Sequence, residues 1–234
     1  MSIQRRPLLI FADSAHTDCQ RRGWPSAFRI LLETQSFTFE ENPGFDLHLF
    51  TSRGAHRPGS SSLQVHFQEG ASFGQRLENA IESLAGLGYE ELVIVGRDCP
   101  ELGRNDIGDA FSLLRQHRLV LGPDHRGGCY LIGIHASDRE NLQGIRWQRN
   151  TDCRQIFDRF RGQDVCKLAV KLDLDSLSDV WLLFRSTSRW AIVSELLRAS
   201  LLGHPSAPAR DKLNSSVENQ RELWQFPPPL SQAS

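Results

Sequence analysis

One aspartate, Asp98, stands where an α/β protein would place a reactive group. It follows the apolar run in ELVIVGRDCPEL (Glu91–Leu102), which indicates a buried strand, and Pro100 stops that strand. Ligands of parallel sheets bind in the crevice outside the carboxyl ends of the strands. Asp98 is therefore the first candidate for a catalytic or ligand-binding carboxylate.

Two further groups of side chains could bind a cation. Asp124 and His125 share one turn, and a neutral histidine can ligate a metal. The alternative is that both are ordinary solvated turn residues. Asp173, Asp175 and Asp179 form a carboxylate cluster, whose alternative role is to cap a helix and complement its dipole.

Other catalytic patterns find less support. Cys99 directly follows Asp98, but a neighbouring carboxylate raises the pKa of a thiol, so we interpret Cys99 as a small buried thiol that fills space. The eight histidines show neither H-x-x-x-H nor H-E-x-x-H spacing, which argues against a zinc hydrolase. The sequence also contains no G-x-x-x-x-G-K-[ST] loop.

The elements that would position these residues are short strands alternating with helices. Gly74–Leu87 and Asn105–His117 have apolar residues at helical spacing. The predicted strands are Pro7–Ala12, Phe45–Thr51, Leu63–Phe67, Glu91–Gly96, Leu119–Gly122 and Cys129–Ile134. This alternation predicts an α/β protein with a mostly parallel sheet and helices on both faces. We expect four runs to be adjacent buried strands: Leu8–Phe11, Val93–Val95, Leu119–Leu121 and Leu131–Ile134.

The overall composition favours a small or neutral partner. Lys plus Arg (27) nearly balances Asp plus Glu (28), so no global field draws the protein to nucleic acid or to an anionic membrane. Five widely spaced cysteines without a C-x-x-C pair fit a reduced cytosolic setting. The apolar run near the start is too short for a signal peptide, and no stretch is long enough to span a bilayer. We expect a soluble, cytoplasmic protein.

We predict one domain over residues 1–203. Residues 180–203 are apolar and indicate a C-terminal helical extension that packs on the sheet or on another subunit, which would allow a homodimer. Residues 204–234 are rich in Pro, Ser, Asn and Gln and offer little apolar area to offset the entropy of ordering. That composition predicts a mostly disordered tail.

Four segments carry a specific pattern: ELVIVGRDCPEL, LVLGPDHRGGCYLIGI (Leu119–Ile134), GIRW (Gly144–Trp147) and LDLDSLSDV (Leu172–Val180). In order and spacing they resemble a bacterial family of transferases with the glycosyltransferase-A fold. That family is often encoded beside radical-SAM proteins and is related to the nucleotidyltransferases that guanylylate cofactors. Its patterns are G-T-D-C-P-x-L after a strand, G-P-x-x-D-G-G-Y-Y-L-I-G, I-x-W and D-x-D-T-x-x-D-L.

An upstream segment extends the resemblance, which covers about residues 65–182. FQEGASFGQRLENAI (Phe67–Ile81) is similar to the family's Q-x-G-x-L-G-x-R-M, and this match places Gly74 and Arg76 on the family's glycine and arginine. The resemblance implies a Rossmann-like sheet that holds a nucleoside triphosphate or a nucleotide sugar at its strand ends.

The resemblance also implies roles for individual residues. A divalent ion on Asp98 would bridge the donor phosphates, and Mg²⁺ or Mn²⁺ prefers a few carboxylate oxygens plus substrate phosphate. Arg76 and the loop after the first strand, beginning at Phe11 and Ala12, would face the nucleotide. The turn at Gly127 and Gly128 would shape the pocket for the donor sugar or the acceptor. Tight-turn geometry alone is an alternative explanation of these two glycines.

The sequence departs from the family in the loop after the first strand. Relatives carry F-x-K-x-P-x-x-G-x-x-K-T-R-L there, whereas this chain reads FADSAHTDCQRRGWPSAFRILLE. Asp13 stands where the first lysine would be. Arg21, Arg22 and Arg29 could still supply positive charge to phosphates.

A second departure replaces the aspartate of D-G-G-Y by Arg126 and the first tyrosine by Cys129. We expect Arg126 to reach toward Asp98 or toward a bound diphosphate, so that a guanidinium partly replaces the metal ion. The alternative is that Arg126 points into solvent.

Our leading hypothesis is a glycosyl- or nucleotidyltransferase that uses a nucleotide-activated donor and a small-molecule acceptor, with Asp98 and Arg126 as catalytic candidates. The alternative is a catalytically inactive nucleotide-binding or regulatory protein that retains the fold. Nucleic-acid binding lacks a concentrated basic and aromatic surface.

Overall fold

The computed structural model describes residues 6–24, 44–52, 63–160, 164–176, 178–179 and 182–183. In this part of the chain, seven strands form one sheet in the order β3-β2-β1-β4-β6-β5-β7. The strands are β1 Pro7–Phe11, β2 Asp46–Thr51, β3 Leu63–Phe67, β4 Glu91–Val95, β5 Leu119–Pro123, β6 Cys129–His135 and β7 Val165–Lys167. Strand β6 is antiparallel to β4 and β5, and the other neighbouring pairs are parallel.

Helices cover both faces of this sheet. They are α1 Ala15–Arg22, α2 Phe73–Gly86, α3 Arg104–Leu114 and α4 Asp152–Arg159, with a 3₁₀ helix at Ala136–Leu142. Helix α2 begins after Ser72, whose Oγ accepts a hydrogen bond from the Gln75 amide at 3.2 Å. Within the described residues, no helix has the length and apolar character needed to cross a membrane.

Alternate residues of the central strands pack on opposite faces. In β1, Leu9 and Phe11 join the core under α2, whereas Leu8 and Ile10 join the core under α3. A strand buried on both faces must be apolar at every position, and this accounts for the continuous run PLLIF. The buried central strands therefore give rigid support to the loops that follow them.

Strands β1 and β4 are the neighbours that matter most for function. The chain leaves β1 toward β2 on one side and reaches β4 on the other, so the strand order reverses between them. In open α/β sheets the crevice at such a switch point is the usual ligand site. The first residues past the two strand ends are Ala12 and Gly96.

The predicted architecture is confirmed. The sheet is mostly parallel with helices on both faces, and the four runs expected to be adjacent form β1, β4, β6 and β5 side by side. Strand and helix ends differ from the predicted ones by three residues at most. The proposed tail, residues 204–234, and nearly all of the helical extension lie outside the described residues.

Candidate active site

A cleft of about 390 Å³ lies over the carboxyl ends of β1 and β4. This volume is within the range of small-molecule sites. Its polar lining mixes guanidinium and carboxylate groups: Asp13, Asp18, Arg21, Arg22, Arg76, Arg97, Asp98, Asp124, Arg126, Asp152, Asp173 and Asp175. The cleft is lined by the predicted site residues Phe11, Ala12, Arg76, Asp98, Arg126 and Gly128, and by the further sequence candidates Arg21, Arg22, Asp124, Asp173 and Asp175. Gly127 is not among its lining residues.

Asp98 forms an ion pair with Arg22. The Arg22 Nη2 donates to Asp98 Oδ2 at 2.5 Å, and Nη1 donates to the Leu174 carbonyl. The guanidinium also lies 3.8 Å from Asp175 and 5.0 Å from the centre of the Trp24 ring. Both members of the pair are largely shielded, with 12% of the Arg22 side chain and 23% of the Asp98 side chain exposed.

The start and end of helix α1 explain why Arg22 lies beside Asp98. Helix α1 begins after Ser14, whose Oγ accepts a hydrogen bond from the Thr17 amide at 3.0 Å. It ends at Gly23, which has a φ of 64° and closes the helix in the left-handed conformation. Arg22 is therefore the last helical residue, placed over the end of β4. The sequence pointed to Arg22 only as a source of positive charge.

The carboxylates around Arg22 repel one another. Burial, followed by repulsion from Asp98, raises the pKa of Asp18 to about 6, although Arg21 and Arg22 oppose this shift. Burial also raises the pKa of Asp173, to which the charges of Asp98 and Asp175 contribute. A positive group in this position relieves that repulsion, and Arg22 supplies it.

A divalent ion at Asp98 would have to share this carboxylate with Arg22. In the described part of the chain, no three side chains of the metal-ligating types are grouped as an ion-binding site. One Asp98 oxygen accepts from Arg22, while the other, Oδ1, is buried and has no hydrogen-bond partner among the described residues. An ion arriving at Asp98 would find Oδ1 open, but it would lie close to the positive charge of Arg22. The assignment of Asp98 as a metal ligand stays a prediction.

The turn between β5 and β6 is built around Asp124. Its Oδ1 accepts from the amides of Arg126, Gly127 and Gly128 at 2.7, 2.7 and 2.9 Å. A Cβ on Gly128 would lie 2.4 Å from Asp124 Oδ2. Gly127 has a φ of 104°, and its Cβ would lie 2.3 Å from the Asn150 carbonyl oxygen. The paired glycines are needed for this turn, and Asp124 is committed to holding it.

Arg126 does not contact Asp98, so this part of the prediction is wrong, whereas its reach toward a bound diphosphate stays a prediction. The Arg126 Nη2 donates to Asp179 Oδ1 at 2.6 Å and to Ser176 Oγ at 2.9 Å. Asp179 is only 1% exposed, and His125 Nε2 lies 3.3 Å from the same oxygen. A buried carboxylate needs charged and hydrogen-bonding partners, so Asp179 holds the guanidinium. Arg126 still lines the cleft.

Gly74 and Arg76, which were predicted to line the same cleft, line two adjoining parts of the surface. Arg76 lines the cleft, and its Nε donates to Gln68 Oε1 at 3.1 Å. Gly74 instead lines an adjoining recess, where a Cβ would approach Trp147 Cδ1 to 3.0 Å. Gly74 thus allows the indole to pack closely, and it contributes to the site through Trp147.

Cys99 has the space-filling role expected of it. The residue is 2% exposed, and burial raises the pKa of its thiol. A thiol with a raised pKa holds little thiolate at neutral pH, so the structure offers no support for a nucleophilic Cys99.

Comparisons with known proteins agree with this architecture. A sequence profile of bacterial proteins described as uncharacterized and conserved in bacteria (DUF2064) matches residues 42–149, somewhat less than half of the chain. No curated protein matches significantly. A candidate nucleotide-diphospho-sugar transferase from Desulfovibrio desulfuricans G20 superimposes with a TM-score of 0.67 at 21% identity, over 85% of this chain and 98% of that one. The fold is that of nucleotide-diphospho-sugar transferases.

Two more distant structures share the fold. Rv0371c from Mycobacterium tuberculosis H37Rv, solved in complex with manganese, has a TM-score of 0.53 at 15% identity, over 78% of this chain and 100% of that one. A cytidylyltransferase from Leptospira borgpetersenii serovar Hardjo-bovis has a TM-score of 0.51 at 12% identity, over 84% and 95%. At such identities the likeness concerns the fold alone.

Proposed function

We propose that this protein is a transferase that moves a glycosyl or nucleotidyl group from a nucleotide-activated donor to a small-molecule acceptor. The proposal is carried by one observation: guanidinium groups converge on the cleft at the switch point between β1 and β4. Planar guanidinium groups suit phosphate oxygens, with which they form paired hydrogen bonds.

Arg76 and Arg21 are the groups that contact the donor phosphates in this proposal. Arg76 uses its Nε on Gln68, and within the described residues its terminal nitrogens have no hydrogen-bond partner. Arg21 has 51% of its side chain exposed and is drawn into the cleft by Asp13 and Asp18. Each guanidinium therefore has donors left for an anion.

Arg22 supplies the charge that a metal ion would otherwise bring. It neutralises Asp98 at the strand end, so that an anionic donor can approach a group of carboxylates. In this scheme Asp98 and Arg22 position each other, and dependence on Mg²⁺ or Mn²⁺ is weak. In the alternative scheme, a divalent ion displaces Arg22 when the donor binds. The manganese complex of Rv0371c is the reason to consider this alternative.

A second candidate function is nucleotide binding without turnover. The observation that favours it is the same ion pair, because Arg22 occupies the carboxylate that the resemblance assigns to catalysis. Asp13, which stands near the phosphate-binding groups, adds a repulsive charge.

A binding panel followed by a turnover assay separates these functions. Nucleoside triphosphates and nucleoside diphosphate sugars would be screened by thermal shift with EDTA and with Mn²⁺, since a ligand of the native state raises the melting temperature. The best ligand would then be incubated with candidate acceptors, and the assay would follow pyrophosphate released from a triphosphate or nucleoside diphosphate released from a nucleotide sugar. We expect Arg76→Gln to abolish the shift. Arg139→Gln is the matched control, because Arg139 pairs with Glu82 at the opposite end of the sheet.

A further inference from the structure

Besides Asp98 Oδ1, buried polar atoms of two further residues that line the cleft, Asp152 Oδ1 and Trp147 Nε1, lack hydrogen-bond partners within the described residues. Buried polar groups in native proteins are nearly always satisfied, so each exception calls for an explanation. The proposed phosphate-binding arginines use neither atom. One atom is an acceptor and the other is a donor.

The local backbone fixes the position of the Asp152 side chain. It is the first residue of α4 and is 9% exposed, and its Oδ2 accepts from the Gln148 amide at 3.1 Å. The backbone amides of Gln148 and Arg149 fix the carboxylate, and Oδ1 has no hydrogen-bond partner within the described residues. The pKa of Asp152 is raised by burial, as expected for a carboxylate that lacks full solvation.

Trp147 is equally constrained. Its ring packs on the backbone at Gly74 and lies 5.9 Å from the ring of Phe73, centre to centre. A side chain at position 74 would collide with Trp147 Cδ1 and Nε1, at 3.0 and 3.3 Å from the new Cβ. The indole is therefore held in place, and its N–H has no hydrogen-bond partner among the residues that the structure describes.

The segment between these residues is held in an unusual conformation. Gln148 and Asn150 both have positive φ values, 61° and 56°, which non-glycine residues rarely adopt. Such strain persists where the surroundings enforce it, and it is concentrated at ligand sites. The neighbouring Gly127 enforces it here, because its carbonyl accepts from the Cys153 amide at 3.1 Å and its Cα lies against the Asn150 carbonyl.

The two unsatisfied atoms define the ligand chemistry. A hydroxyl group both donates and accepts, so hydroxyls can satisfy the carboxylate and the indole N–H. An ammonium group could serve Asp152 but has no acceptor for Trp147. A phosphate or carboxylate could serve Trp147 but would meet the negative charges of Asp152 and Asp124. We propose that Trp147 and Asp152 form a subsite for the hydroxyl groups of a sugar or polyol.

This inference rests on the proposed function for its place in the reaction. The hydroxyls could belong to the sugar carried by the nucleotide donor or to the acceptor, and these two sources have the same chemistry at the subsite. They differ in what else must bind, because a donor sugar arrives attached to a diphosphate and an acceptor arrives alone.

The test compares Asp152→Asn and Trp147→Phe with the parent protein. The asparagine can still accept from the Gln148 amide but presents an amide N–H in place of Oδ1, and the phenylalanine keeps a ring on Gly74 but removes the indole N–H. The control is Asp158→Asn, on the same helix, with 62% of its side chain exposed. Calorimetry would measure binding of UDP-, ADP-, GDP-, CDP- and dTDP-glucose and the corresponding diphosphates. Glucose, glycerol and myo-inositol would be titrated separately while the Trp147 indole N–H resonance is followed.

Each outcome decides the proposal. Loss of about tenfold or more in nucleotide-sugar affinity, with diphosphate affinity unchanged, supports a donor-sugar subsite. Loss of the polyol-induced shift of the Trp147 resonance in Asp152→Asn, with nucleotide-sugar affinity unchanged, supports an acceptor subsite. A parent that binds polyols but no nucleotide would overturn the proposed function and leave the subsite standing. Unchanged affinities in both variants would overturn the subsite. The subsite would also be overturned if the parent binds no nucleotide sugar and no sugar or polyol shifts its Trp147 resonance.

Discussion

The guanidinium of Arg22 donates to the carboxylate of Asp98 over 2.5 Å, at the point where β1 and β4 end side by side. The two residues are 76 positions apart in the sequence. Their pairing places a fixed positive charge among carboxylates. Most of the expected behaviour of the cleft follows from this contact.

Removing Arg22 should destabilise the fold. Breaking a partly buried pair leaves Asp98 uncompensated beside other carboxylates, so we expect Arg22→Gln to lower the free energy of unfolding by about 2 kcal/mol. Urea denaturation at pH 7 measures this. Arg154→Gln is the control, because the side chains of Arg154 and Asp158 are 85% and 62% exposed and such pairs contribute little. Equal effects in both variants would show that the Arg22 pair does not hold the cleft together.

Asp18 should make stability depend on pH. Its pKa in the folded state, about 6, lies above the ordinary 3.8, so the folded protein binds the proton more tightly than the unfolded chain does. Stability therefore falls as the pH rises from about 4 to about 6, by up to about 3 kcal/mol from this group, and stays low above that range.

The matching variant is Asp18→Asn. We expect it to be more stable than the parent above pH 6 and to lose that advantage below pH 4. Urea unfolding at several pH values gives the comparison. A difference between the two proteins that is constant across this range would contradict the raised pKa.

Gly127 should not tolerate a side chain. Its φ of 104° and the 2.3 Å approach of a Cβ to the Asn150 carbonyl predict that Gly127→Ala destabilises the protein by about 2 kcal/mol or more. Gly108 lies within α3 with no atom near a Cβ, so Gly108→Ala should stabilise by about 0.5–1 kcal/mol. Thermal unfolding of both variants is sufficient. A neutral Gly127→Ala would mean that the turn and the Asn150 segment are not packed as described.

Arg126 should matter for stability more than for metal dependence. Replacing it by Gln weakens its bond to the buried Asp179, and we expect a loss of about 1–3 kcal/mol in unfolding free energy. Because its guanidinium does not contact Asp98, the ratio of nucleotide affinities with and without Mn²⁺ should be the same as in the parent. A change in this affinity ratio would support the expectation from the sequence, that the Arg126 guanidinium partly replaces a metal ion.

Local patterns were sufficient to predict the sheet. Continuous apolar runs such as PLLIF predicted strands buried on both faces, and the helical spacing of Leu77, Ala80, Ile81 and Leu84 predicted the buried face of α2. The antiparallel direction of β6 was missed, although the five-residue connection after Pro123 is too short for a parallel crossover.

Pairings between distant residues were not predictable in this way. Nothing in the sequence near Arg22 shows that its partner is Asp98, or that Arg126 would be held by Asp179. Both pairings depend on which strand ends and turns the folded sheet brings together. Asp152 was missed because an acidic residue at a helix start is ordinarily a helix-stabilising feature, and only its buried, unpaired oxygen distinguishes it.

The most direct test of this account is the affinity of the best-binding nucleotide measured in EDTA and in Mn²⁺, for the parent and for Arg22→Gln. If Arg22 supplies the charge at Asp98, the parent should bind about equally under both conditions. The variant should bind weakly in EDTA, by about tenfold or more, and Mn²⁺ should restore its affinity. Binding by the parent that requires Mn²⁺, or a variant that binds as the parent does under both conditions, would contradict the account.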